Sequence, residues 1–132
     1  DDTQDFLTEM TNEIMAMGPY FRAVVDSLDF FMQREDPSRV VAMLRMMQAH
    51  TQLHRGILFI TVSNDTITPA IKQEMAAIAD MVCDFKVRTV GSDFETSMIV
   101  SKFRNAPENL SIMVYRVTPE EGITPETVER IA

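Results

Sequence analysis

The residues best placed for chemistry follow a short apolar run near the start of the chain. Asp26 and Ser27 come directly after Ala23-Val24-Val25. A continuous apolar run without alternation is typical of a strand that is covered on both faces, as in parallel sheets. An acid at the carboxyl end of such a strand lies where open α/β sheets place their ligands, and its carboxylate can hold a metal-bound water. The competing interpretation is that Asp26 only serves the turn that ends the strand.

Helix signals alternate with the buried strands and must position these groups. Apolar residues recur every three or four positions over 3–17, which predicts a helix with one apolar face. Asp36-Pro37 and Thr68-Pro69 each combine an N-cap with Pro at the first helical position, so each predicts the start of a helix. Gly56 suits the C-cap of the first of these two.

The remaining segments predict strands. The apolar run ILFITVS at 57–63 indicates a second buried strand, and from Met81 the apolar period becomes two, which signals a strand with unlike faces. Gly91-Ser92-Asp93 predicts a hairpin turn before a return strand. A last strand, LSIMVYRV, precedes a polar tail at 119–132.

Alternating helices and buried strands predict an α/β fold with a mostly parallel sheet and right-handed crossovers. The hairpins extend that sheet at its C-terminal edge with antiparallel strands. No internal repeat or linker interrupts the sequence, so we expect a single domain over 1–132.

The order of these motifs resembles the C-terminal half of the RecA-like ATPase domain, and most closely the KaiC-like ATPases common in archaea. RAVVDS, which ends at Ser27, matches the Walker B element, and helix, strand and helix follow it in the family order up to Ala79-Asp80. SKFRNAP corresponds to the Lys-x-Arg of the family hairpin, with Asn105 in place of the usual Gly. The resemblance covers nearly all of the chain and implies a three-layer, mostly parallel RecA-like sheet flanked by helices.

The resemblance also implies roles for individual residues. Asp26 would order Mg²⁺ and its water beside the β and γ phosphates of a nucleotide. Ser63 and Asn64 would occupy the polar sensor position near the γ-phosphate. Ser27 corresponds to the Ser that follows the acid in the family motif and would lie beside the nucleotide with it. Lys102 and Arg104 would reach a neighbouring subunit's nucleotide as an arginine finger does. The competing interpretation of Lys102 and Arg104 is an exposed basic strand edge that discourages aggregation.

One departure from the family outweighs these matches. The phosphate loop G-x-x-x-x-G-K-S/T is missing from this sequence, because Gly18, Gly56, Gly91 and Gly122 are isolated and none precedes a Lys. The family's catalytic Glu pair also has no counterpart here. We therefore expect no cofactor in this chain as it stands, and Mg-ATP only if a phosphate-loop half exists elsewhere in the protein. The strand leading into that loop is central in the family sheet, so its absence predicts a gap or a rewired sheet.

These observations favour a non-hydrolysing KaiC-like domain that acts by self-association or partner binding in a signalling or scaffold role. An alternative is the C-terminal portion of an active KaiC-like ATPase, in which Asp26, Lys102 and Arg104 would be catalytic. A lesser alternative is a receiver-like signalling domain, since Asp26, Ser63 and Lys86 imitate its Asp, Ser and Lys at strand ends. A receiver also needs a final helix, where this sequence predicts strands.

Two other groups of residues have the chemistry of a site. His50 and His54 are four residues apart on a predicted helix, a spacing that can place two imidazoles on one metal. No Glu follows His50 and no third ligand is evident, so we expect a solvent-facing pair. Cys83 is the single cysteine and lies among apolar residues, which indicates a buried structural thiol in a reducing compartment.

Composition limits the classes of protein further. The chain has 132 residues, 45% hydrophobic and 24% charged, which excludes disorder, a collagen-like chain and a disulfide scaffold. A net charge of -8 repels phosphate backbones and anionic lipids, so we expect no direct nucleic-acid binding. No apolar stretch is long enough to span a membrane, and the acidic start DDTQDFLTEM is unlike a secretory signal. We expect a cytoplasmic protein that forms a homo-oligomer or binds a partner protein.

Overall fold

The chain folds into two units that divide after Ala79 in the computed structural model, which describes residues 4–106 and 110–126. The first unit contains four α-helices, two strands and a short 3-10 turn: α1 (Phe6–Met15), β1 (Arg22–Val25), α2 (Asp29–Arg34), α3 (Pro37–Leu53), β2 (Ile57–Ile60), the turn Asn64–Thr66 and α4 (Pro69–Ile78). The described part of the second unit contains four strands: β3 (Met81–Val90), β4 (Asp93–Phe103), β5 (Ser111–Thr118) and β6 (Gly122–Glu126).

The capping residues predicted for two helices of the first unit are confirmed. The Asp36 carboxylate accepts a hydrogen bond from the Ser38 N–H at 2.9 Å, and the Thr68 hydroxyl accepts one from the Ile71 N–H at 3.2 Å. Each cap satisfies a backbone donor that the first helical turn leaves without a partner. Pro follows each cap and starts the helix at the predicted position.

The end of α3 differs from the prediction. His54 is its C-cap, and Arg55 rather than Gly56 adopts the left-handed conformation, with φ of 53°. Gly56 serves a different purpose, since a Cβ there would lie 2.4 Å from the Phe21 ring. Glycine is therefore needed for close packing and not for the cap.

The parallel strands β1 and β2 are covered on one face only. Their register pairs Val24 with Phe59 and Val25 with Ile60. Val25 and Ile60 pack against the core of the first unit, whereas Val24 and Phe59 are 68% and 61% exposed. The prediction of strands covered on both faces is thus wrong for the described residues, because the helices of this unit pack against a single face of the pair.

The core of the first unit draws on all its larger helices. Leu7 and Leu28 are fully buried and Val40, Val41 and Met47 nearly so. Partly buried side chains from α4 also pack against this cluster. None of the helices in the described residues is long and apolar enough to cross a membrane.

The second unit contains a four-stranded antiparallel sheet in the order β3-β4-β5-β6. The predicted hairpin is confirmed, with Gly91 at φ of 63° in its turn. Part of the segment predicted as a polar tail at 119–132 instead forms β6, which pairs with β5 from Gly122 to Glu126. Backbone pairing along β5 compensates for the polar composition that suggested a tail.

The α/β class is confirmed, but the described strands form two separate sheets, one parallel and one antiparallel. A mostly parallel sheet in three layers is not confirmed by them. Of the strand pairs in the described residues, β1-β2 is parallel, and β3-β4, β4-β5 and β5-β6 are antiparallel. The single domain over 1–132 stays a prediction.

Candidate functional site

The carboxyl ends of β1 and β2 bring together side chains that the sequence separates by 35 residues. The register pairs Val25 with Ile60, so the residues that follow, Asp26 and Thr61, lie opposite each other. The Thr61 hydroxyl donates a hydrogen bond to the exposed Asp26 carboxylate at 2.7 Å. The peptide bond between Asp26 and Ser27 is cis.

Asp29 is the most strongly bonded acid of this region. Its carboxylate accepts hydrogen bonds from the Ser63 N–H at 2.8 Å, from the Ser63 hydroxyl at 2.7 Å and from the Thr66 hydroxyl at 2.8 Å. These donors stabilise the charged form and lower the pKa of Asp29 to about 2, the Ser63 N–H having the largest effect. The backbone N–H of Asp29 in turn donates to the Ser27 hydroxyl at 3.3 Å.

The predicted residues Asp26, Ser27, Ser63 and Asn64 therefore share one end of the first unit. Ser63, predicted as a sensor, directs both its N–H and its hydroxyl to Asp29. Asn64 begins the 3-10 turn that carries Thr66 to the same carboxylate. Through Asp29, these hydrogen bonds hold α2 to the segment that follows β2.

Sequence reasoning missed Asp29, Thr61 and Thr66. Asp29 lies in the first turn of α2, a helix of six residues that is too short to show an apolar period. One usable signal was present, since an acid in the first turn of a helix is stabilised by the helix dipole. Thr61 could have been found only from the strand register.

Lys102 and Arg104 belong to the second unit. Lys102 lies on β4 opposite Val82 and is half-buried. The Arg104 guanidinium forms an ion pair with the Asp80 carboxylate at 2.6 Å, and the Arg104 N–H donates to the Asp80 carbonyl at 2.8 Å. Asp80 thus fixes Arg104 at the end of the β3-β4 hairpin.

The two histidines are not the solvent-facing pair that the sequence suggested. His50 is buried, with its Nε2 2.8 Å from the Met17 carbonyl, and the His54 Nδ1 lies 3.0 Å from the His50 carbonyl. Their rings stack with centroids 4.1 Å apart. Within residues 4–106 and 110–126 no group of three His, Cys, Asp or Glu side chains is arranged to hold a metal ion.

The remaining predicted groups lie on β3. Cys83 is half-buried, and burial, with a smaller effect from the Asp84 charge, raises the pKa of its thiol. Lys86 is exposed on the same strand. The receiver alternative requires a helix after the last strand, whereas 111–118 and 122–126 form β5 and β6.

Two solved structures share the fold of this chain. The flagellar accessory protein FlaH from Methanocaldococcus jannaschii matches with a TM-score of 0.69 and 18% identity over 93% of this chain and 54% of that chain. The KaiC-like protein PH0186 from Pyrococcus horikoshii matches with a TM-score of 0.63 and 15% identity, with the same coverage. The chain thus spans about half the length of these structures, and the likeness shows a related, RecA-like fold.

No curated protein matches the sequence. A family model described as "Family of unknown function (DUF7125)" matches residues 2–115. That match covers most of the chain, from before α1 into β5. The chain therefore belongs to this family, DUF7125.

Proposed function

We propose that this chain is a KaiC-like domain that does not itself hydrolyse ATP and acts by self-association or partner binding, in a signalling or scaffold role. The observation that carries the proposal is the bonding of Asp29 to Ser63 and Thr66. The Asp29 carboxylate thus engages three donors at the end of the first unit where an open α/β sheet would bind a ligand.

The sequence supports the same proposal. A nucleotide's phosphates need several converging donors, usually backbone amides of a glycine-rich loop at a helix N-terminus. This chain contains no G-x-x-x-x-G-K-S/T. The residues present fit Mg-ATP only in part, since Asp26 offers a carboxylate for a Mg²⁺-bound water but no phosphate cradle accompanies it.

Calorimetric titration of the chain with Mg-ATP tests the first half of the proposal. We expect no heat of binding, because Asp26 alone would face a polyanion with few donors beside it. The Asp26→Asn variant is the control, since it keeps the side-chain shape and removes the charge. A micromolar affinity that this variant loses would contradict the proposal.

Light scattering at micromolar concentration tests the second half. We expect a mass at least twice that of one chain, because the described residues leave large apolar side chains exposed in both units, Phe59 and Phe85 among them. A monomer that also captures no partner would contradict it.

A second candidate function is favoured by one observation, the coverage of only 54% of the length of each matching structure. In this alternative the chain is the C-terminal portion of a longer KaiC-like ATPase. Asp26 would serve Mg²⁺ through a water, and Lys102 and Arg104 would act on a neighbouring subunit's nucleotide.

The coding sequence upstream of Asp1 tests this alternative directly. A G-x-x-x-x-G-K-S/T there would favour it, and the longer protein could then be assayed. Asp26→Asn should abolish its Mg²⁺-dependent turnover while circular dichroism stays unchanged. Turnover that survives Asp26→Asn would show that this acid is only a strand-end residue.

A further inference from the structure

The sheet of the second unit has one face without any formal charge. Its positions are the odd-numbered ones over 83–89 and 111–117, the even-numbered ones over 94–100, and 123 and 125, as the strand register places them together. None of them is Asp, Glu, Lys, Arg or His. We name this the uncharged face.

The opposite face of the same sheet carries the charges. Arg88 pairs with Glu95 at 2.8 Å across β3 and β4, and Arg116 pairs with Glu126 across β5 and β6. Charged pairs of this kind are typical of a solvated face. The sheet is thus amphipathic, and its polar side is already adapted to water.

The uncharged face is largely exposed in the described residues. Six large apolar side chains on it are at least 43% exposed: Phe85, Val87, Phe94, Met113, Val117 and Ile123. The register makes them contiguous, since Phe85 lies opposite Met98, Met98 opposite Met113, and Val117 opposite Ile123. An antiparallel sheet with one solvated face ordinarily covers the other.

The number and exposure of these side chains call for a covering surface. Two of the six are Phe, and each of the six is at least 43% exposed. Soluble monomers rarely leave several large apolar side chains exposed side by side, and such patches mark interaction sites.

We propose that a second copy of this chain covers the uncharged face, so that two sheets pack face to face about a two-fold axis. This inference rests on the proposed self-association and names its surface. Each copy has a net charge of -8, so two copies repel each other except where neither presents charge. An isologous contact brings the uncharged face against itself and leaves the charged face in water.

The β6 edge of the sheet is poorly suited to pairing with a strand of a second copy. β6 is an edge strand in the described sheet and contains Pro125, which has no N–H to donate to an added strand. A second copy would therefore bind more favourably on the uncharged face than along β6.

Sedimentation equilibrium of matched variants tests the proposal. Val117 and Ile112 lie on the same strand on opposite faces and are 66% and 64% exposed. Val117→Lys should raise the dissociation constant of the dimer roughly 100-fold, because it leaves a charge in an apolar interface. Ile112→Lys, the control, should leave the constant nearly unchanged.

The outcomes separate this inference from the proposed self-association. A wild-type oligomer that Val117→Lys and Phe85→Lys do not weaken would overturn the uncharged face as the contact and leave self-association intact. A wild-type monomer at all micromolar concentrations would overturn both, as expected if another segment of a longer protein covers the face.

If circular dichroism shows that the lysine variants are unfolded, a measurement on the wild-type chain tests the proposal instead. A soluble nitroxide broadens the NMR signals of exposed methyl groups. The Val117 and Ile123 methyls should be protected at high protein concentration and broadened on dilution, while the Ile112 methyl is broadened throughout. Equal broadening of all three at every concentration would overturn the proposal.

Discussion

The two units of this chain use similar apolar content in different ways. In the first unit, helices pack on one face of β1 and β2, and Leu7, Leu28 and Met47 are at most 1% exposed. Among the large apolar residues in the described part of the second unit, only Val100 and Val114 are less than 10% exposed. The comparison shows that an alternating pattern creates an apolar face, whereas burial requires a second layer that the same segment does not supply.

The largest effect should come from the core of the first unit. Leu28→Ala should lower the free energy of unfolding by about 2–4 kcal/mol, because it leaves a cavity beside fully packed side chains. Leu53→Ala is the matched control, since Leu53 is 79% exposed at the end of α3 and should change the free energy by less than about 0.5 kcal/mol. Urea unfolding followed by circular dichroism measures both, and equal losses would contradict the description of this core.

Glycine substitutions sharpen the contrast in packing. Gly56→Ala should cost about 1–3 kcal/mol, because the new Cβ would lie within 2.4–2.8 Å of three Phe21 ring atoms. The ring cannot move away freely, since it packs on the core and its centroid lies 5.6 Å from that of the His50 ring. Gly18→Ala, where no atom lies within 4 Å of the added Cβ, is the control and should be near neutral. Equal thermal stability of the two variants would argue against the close approach.

The dependence of unfolding free energy on acid pH should be stronger for a substitution in the first unit than for one in the second. The pKa of Asp29 is about 2 in the folded chain against an ordinary value of 3.8, so its contribution to stability is present above pH 4 and is lost as pH falls toward 2. Asp29→Asn should therefore be less stable than wild type at pH 7, and the two unfolding curves should converge near pH 2.

The control for this titration lies in the second unit. Glu95→Gln breaks the exposed ion pair with Arg88 and should change stability little at any pH in this range, because surface pairs contribute little. Asp29→Asn and wild-type curves that stay parallel from pH 7 to pH 2 would show that the Asp29 hydrogen bonds do not stabilise the fold.

The smallest effect concerns a thiol and leaves stability unchanged. Burial raises the pKa of Cys83 above its ordinary value, so little reactive thiolate forms at neutral pH. The rate at which iodoacetamide alkylates Cys83 should rise at a higher pH than the rate for glutathione in the same buffer. This difference in pH should vanish when urea unfolds the chain. If the alkylation rate of Cys83 reaches half its maximum at the same pH as that of glutathione, or at a lower pH, the Cys83 thiol is not desolvated as described.

Local signals in the sequence determined the starts of α3 and α4 and the position of the candidate acid. Asp36-Pro37 and Thr68-Pro69 act through hydrogen bonds within one turn, so neighbouring residues suffice to predict them. The apolar run that stops at Val25 locates Asp26 at a strand end, and Gly91-Ser92-Asp93 locates a turn through an equally local signal.

Tertiary structure alone decided which groups meet and which faces are covered. Asp29 binds Ser63 and Thr66 across more than thirty residues, and only the parallel register of β1 and β2 brings them together. The exposure of Val24 likewise depends on what packs against the strand and not on the strand itself. Hydrogen bonding within a turn is fixed by adjacent residues, whereas burial and long-range bonding are fixed by the layers that assemble around them.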